Sequence, residues 1–147
     1  MFTENEQQVL DIDWFFTNNE DVAFVASGGG RLPQSVAQSA ENNKLLVSFF
    51  RGLPITSEVV INPELNKVIA NIVDERYLAD FVSLTQKGLF SFDKTVLNSF
   101  LESQYHLVAK PVSPLKFSQL PSEIRRILVM TKYDGNIEPM IFIHNIV

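Results

Sequence analysis

Residues 11–30 read DIDWFFTNNEDVAFVASGGG, and the way this stretch pairs with itself decides what the chain can fold into. Ile12, Trp14 and Phe16 alternate with Asp13, Phe15 and Thr17, while Val22, Phe24 and Ala26 alternate with Ala23, Val25 and Ser27. Both runs have the period of strands, and the polar break between them predicts a hairpin. A connection with an odd number of residues sets Trp14 opposite Phe24 and Ile12 opposite Ala26, gathering the large side chains on one face; an even one mixes the faces. The odd loop is therefore expected, with Asp11 and Asp13 solvated beside Val25 and Ser27 on the less buried side.

Beyond the second strand stand Gly28, Gly29 and Gly30, half the glycines of the chain. Consecutive amides between a strand and a helix can hold an anion, which makes Ser27, Gly28, Gly29, Gly30 and Arg31 a candidate small-ligand turn. The spacing matches neither the dinucleotide fingerprint nor the P-loop, and Pro33 removes a donor where one is wanted. A bulged strand-to-helix corner is the plainer reading.

Downstream, SVAQSAENNKLLVSFFRGLP (35–54) carries Leu45, Leu46, Phe49, Phe50 and Leu53 in one stripe, predicting a helix capped by Ser39, closed by Arg51 and stopped by Gly52 and Pro54. Asn62-Pro63-Glu64 opens another helix with Leu65, Val68, Ile69 and Ile72 on its face; Asp74 restarts the pattern for Tyr77, Leu78, Phe81, Val82 and Leu84, and Gly88 ends it. Leu89–Asp93 and Tyr105–Lys110 read as strands, the intervening VLNSFLESQ stays ambiguous, and Pro121 opens a helix faced by Ile124, Ile127 and Leu128. Asp134-Gly135 marks a turn before a final strand from Met140 to Ile146. Strands and helices mix without regular βαβ alternation. The expected class is α+β, an N-terminal β-hairpin with helices packed on one mostly antiparallel sheet. Residues 1–147 read as a single globular domain, which at this length buries roughly 70% of the surface of the unfolded chain.

Charge is distributed unevenly. Up to Gly30 the chain carries Glu4, Glu6, Asp11, Asp13, Glu20 and Asp21 and no lysine or arginine, whereas the remainder carries 11 acids and 12 bases. Such an opening disfavours nucleic acid and suits a basic partner, with Glu4, Asp11, Asp13, Glu20 and Asp21 as candidate partner-binding residues. A solvated tail and hairpin edge is the ordinary alternative. The absence of cysteine excludes disulfides and thiolate chemistry and fits a reducing, cytoplasmic location. The acidic opening has no export signal, and no apolar run approaches the ~18 residues of a membrane span, so no membrane association is expected.

Catalytic and metal signatures are sparse. His106 and His144 fall in expected strands without a second ligand at a metal spacing and read as structural; ASGGG lacks the nucleophile elbow. Asp11 and Asp13, two apart on a strand, share a side and could bind a cation, but no further oxygen ligands follow at fixed spacing. No catalytic residue, cofactor or metal is assigned. The stretches DIDWFFTNNEDVAFVASGGG and YHLVAKPVSPLKFSQLPSEI resemble a group of small bacterial proteins, some of them immunity proteins of polymorphic toxin systems. That resemblance implies a cytosolic, non-enzymatic α+β domain that neutralises a cognate toxin by stoichiometric binding.

Overall fold

The computed structural model describes residues 1–68 and 73–146. The chain opens with a short helix, α1 (Glu4–Val9), and then forms the hairpin β1 (Asp13–Thr17) and β2 (Val22–Ala26). Helices α2 (Gln34–Ala37) and α3 (Ala40–Arg51) follow, then β3 (Val59–Ile61), α4 (Leu65–Val68), α5 (Glu75–Thr85) and β4 (Phe90–Lys94). The chain continues through β5 (Gln104–Pro111), α6 (Ser122–Leu128) and β6 (Met140–Phe142). The fold is α+β.

Caps foreseen from sequence hold several helix starts. Ser39 Oγ accepts the Asn42 amide at 3.1 Å and Asp74 Oδ1 accepts the Tyr77 amide at 2.9 Å, each satisfying a donor that the first helical turn leaves free. Helix α1 was not foreseen. It carries a full capping box, in which Thr3 Oγ1 accepts from the Glu6 amide and the Glu6 carboxylate accepts from the Thr3 amide, both at 3.1 Å. On α3 the buried face is Asn43, Leu46 and Phe50, with Leu45 turned outward. Ile69 and Ile72 lie outside the described residues.

The six strands form one sheet in the order β1-β2-β4-β5-β3, with β6 beside β3 on the outer edge of β5. It is mixed: β2–β4 pairs parallel, and β1–β2, β3–β5, β4–β5 and β5–β6 pair antiparallel. Strands β2 and β4 run parallel; between them the chain leaves at the glycine corner, passes through α2 and α3, adds β3 at the far edge of the sheet, and returns through α4 and α5. The expected final strand is shortened: β6 ends at Phe142, and a 3-10 turn (Ile143–Asn145) carries His144 out of the sheet. Residues 96–101 form turns, with Asn98 at φ 60°.

The hairpin register differs from the expected one. Trp14 faces Val25 and Phe15 faces Phe24, so the connection holds four residues and the faces are mixed. Loop chemistry sets this. Asn18 Oδ1 accepts the amides of Glu20 and Asp21, Thr17 Oγ1 accepts that of Asn19, and Asn19 takes φ 74°. Hydrophobic pattern does not oppose it, because both faces of the hairpin are covered. Phe15, Val22, Phe24 and Ala26 pack under α3, α5 and α6, while Trp14, Phe16, Ala23 and Val25 pack with Phe92, Tyr105, Tyr133 and Ile141 on the other side. Phe15, expected on the wetter side, is fully buried, an arrangement that stabilises the fold by about 2 kcal/mol or more.

Candidate functional site

The even register moves Asp13 onto the helix-covered face. There it joins a row that crosses four strands, from Asp13 through Ala26 and Asp93 to His106. Neighbouring positions in such a row are about 4.8 Å apart, so the row collects titratable groups that are far apart in sequence. Arg51, at the end of α3, reaches Asp13 Oδ2 through Nη2 at 2.6 Å and Asp80 Oδ1 through Nη1 at 2.9 Å, and its guanidinium lies 5.9 Å from the Phe24 ring centre. Burial raises the Asp13 carboxyl above its ordinary range, and the Arg51 hydrogen bonds only partly offset this. Arg51 itself is pushed further up, chiefly by its bond to Asp80.

Asp93 accepts 2.6 Å from Tyr77 Oη and 2.9 Å from the Lys94 amide, and burial raises its carboxyl to about 6. Opposite it, His106 Nδ1 bonds Thr95 Oγ1 at 3.0 Å, its Nε2 is buried without a partner among the described residues, and burial lowers its pKa to about 4. Burial favours the uncharged form of each group, and at Asp93 the hydrogen bonds from Tyr77 and the Lys94 amide oppose it only in part. His144 sits apart, exposed, with Nδ1 3.3 Å from Ser103 Oγ. Among the described residues no group of three His, Asp or Glu side chains is placed to hold a metal ion.

The glycine corner is closed upon itself. Gly28 and Gly29 have φ 53° and 76°, the left-handed region that glycine enters without strain. The Gly28 amide donates to Asp11 Oδ1 at 2.9 Å, Gly30 to Ser27 O at 2.8 Å, Arg31 to Phe100 O at 3.0 Å and Leu32 to Gln7 Oε1 at 3.0 Å. Ser27 Oγ accepts the Ile12 amide at 2.7 Å. A carboxylate of the chain thus occupies the anion position that the five residues Ser27 to Arg31 offered in sequence, and Arg31 lies over the Phe100 ring at 6.0 Å. Beneath the corner, Lys94 is almost fully buried, its ammonium 5.4 Å from the Tyr105 ring centre and bonded to Glu102 O. Burial lowers its pKa.

The five candidate acids divide into two sets. Asp11 and Asp13 line one cleft of about 420 Å³ with Phe2, Ile12, Asn43, Lys44 and Val47, and exposed Glu4 stands on the adjoining helix α1. Glu20 and Asp21 lie in the loop at the other end of β1, roughly 17 Å away at about 3.4 Å per residue. Asp21 is there paired with Lys116 Nζ at 2.9 Å. The Asp13–Arg51 and Asp21–Lys116 pairs, 38 and 95 residues apart, carry no local sequence signal. Asp11 is exposed on the cleft, which Lys44 also lines, and among the described residues its carboxylate accepts from the Gly28 backbone amide and joins no ion pair. Comparison with protein-family models, curated proteins and solved structures found no match to this chain. No helix among the described residues is long and apolar enough to cross a membrane.

Proposed function

We propose that the protein acts by stoichiometric binding, as a cytoplasmic interaction module that covers a basic surface of another protein. The resemblance noted in the sequence makes a toxin the fitting partner, with neutralisation following from occlusion of the toxin's own positive surface. The observation that carries this reading is the exposed Asp11 carboxylate on the Asp11–Asp13 cleft, without an ion-pair partner among the described residues, in an opening segment that includes Glu4 and lacks any lysine or arginine through Gly30. An acidic surface of this kind speeds encounter with a basic partner and repels acidic ones. Glu20 and Asp21, at the far end of the hairpin, fall outside one compact contact with this end.

The test is affinity capture from the host with tagged wild type and with the exposed pair Glu4→Lys and Asp11→Lys, followed by titration of the captured protein at several salt concentrations. A basic protein held by wild type, released by added salt and lost with the double variant supports the reading. Equal capture by both, with no salt dependence, removes it.

A further inference from the structure

The glycine corner joins two exposed apolar segments. On one side, Gln8 O of α1 lies where a Gly29 Cβ would stand, 2.8 Å away; on the other, Leu97 Cδ2 lies 4.0 Å from the equivalent Gly28 position. The Arg31 amide fastens the second segment through Phe100 O, and Lys94 holds its end through Glu102 O. The side chains that follow in each segment point outward: Val9 is 69% and Leu10 45% exposed, Leu97 51% and Leu101 70%. Apolar side chains this open on the two segments that meet the corner are of the kind that marks an interaction site.

We propose that Val9, Leu10, Leu97 and Leu101 are the apolar centre of a docking surface for a protein segment carrying both leucine-like and basic side chains. This rests on the reading above and names the chemistry of the partner at the same end of the molecule. Charge decides among occupants. Asp11 sits against Gly28 at the corner, Glu4 and Glu6 share α1 with Val9, and Glu102 adjoins Leu101, so acids predominate around the apolar centre even with exposed Arg31 over the Phe100 ring. A second copy would bring like charges together, and an anionic lipid surface would be repelled; a basic amphipathic segment complements both the centre and the acids around it.

The experiment uses a synthetic helical peptide of leucine and lysine, with a polylysine peptide of the same length, vesicles of phosphatidylglycerol, and sedimentation of the protein alone. Amide-resonance shifts in wild type are expected at residues 8–11, 28–31 and 96–102. Leu97→Gln with Leu101→Gln should weaken the leucine–lysine peptide by about tenfold or more and leave polylysine unchanged. Both leucines are exposed, so the variant's thermal unfolding should match wild type. Asp11→Lys should weaken both peptides; if it weakens neither while the leucine variant acts, the basic character of the partner is refuted and the apolar surface stands. Unchanged peptide affinity in the leucine variant, or shifts elsewhere, overturns the surface even where Asp11→Lys acts. Leucine-dependent binding to the vesicles, or a dimer that the leucine variant disperses, overturns it in favour of a membrane or a second copy.

Discussion

Asp93 and His106 stand opposite each other on β4 and β5, and burial drives their titrations past one another, the acid up to about 6 and the base down to about 4. In the unfolded chain they titrate near ~4 and ~6.5 respectively. Between about pH 4 and 6 the native state therefore binds the extra proton at Asp93, and the stability this group contributes is lost as pH rises. At His106 the unfolded state binds the extra proton, and stability is lost as pH falls. The two slopes oppose each other.

Asp93→Asn should leave the histidine's effect alone, so that stability rises relative to wild type by about 2 kcal/mol from pH 4 to 6, whereas His106→Gln should fall by a similar amount. Urea unfolding at intervals between pH 4 and 7 checks both. Tyr77→Phe removes a hydrogen bond that lowers the Asp93 pKa, so its carboxyl should titrate above 6. Parallel pH profiles for wild type and all three variants would refute the assignment.

Arg51 binds two acids and covers the Phe24 ring, and Asp13 is the more buried of the two partners. Arg51→Met should cost about 1–2 kcal/mol, between the values of exposed and buried pairs, mainly by leaving Asp13 desolvated without a donor. Adding Asp13→Asn should recover most of the loss, whereas adding Asp80→Asn should recover little, because Asp80 remains in water. Equal recovery by the two would show that burial of Asp13 is not the cause.

A Cβ at Gly30 would lie 2.8 Å from Tyr105 Oη, 2.9 Å from Lys94 Nζ and 3.0 Å from Ser27 O. Gly30→Ala should therefore destabilise by about 2 kcal/mol through overpacking. The Tyr105 hydroxyl is buried with no hydrogen-bond partner among the described residues, so Tyr105→Phe should be neutral or slightly stabilising and should relieve part of the Gly30→Ala penalty. Strict additivity in thermal or urea unfolding would mean that the crowding lies elsewhere.

Elements with a local signature were legible from the residues alone. Ser39 and Asp74 are short polar caps ahead of apolar stripes, Gly88 stops a helix, and Phe90 and Phe92 alternate with polar neighbours; each reports geometry within a few positions of itself. The Thr3–Glu6 box was equally local, and its spacing was sufficient to find α1. The three-residue strand β3 was not legible, since so short a segment becomes a strand only by pairing with β5.

Composition and local pattern determined the α+β class, the hairpin, most helix limits and the acidic opening, because propensity, capping and turn chemistry act between near neighbours. Only the tertiary structure decided the hairpin register, the parallel entry of β4 and the closure of the glycine corner by Asp11. It also decided which acids remain uncompensated, pairing Asp13 with Arg51 and Asp21 with Lys116 across long sequence separations. The physical reason is that a strand buried on both faces carries no one-sided pattern to set its register, and an ion pair between distant residues exists only once packing has brought them together.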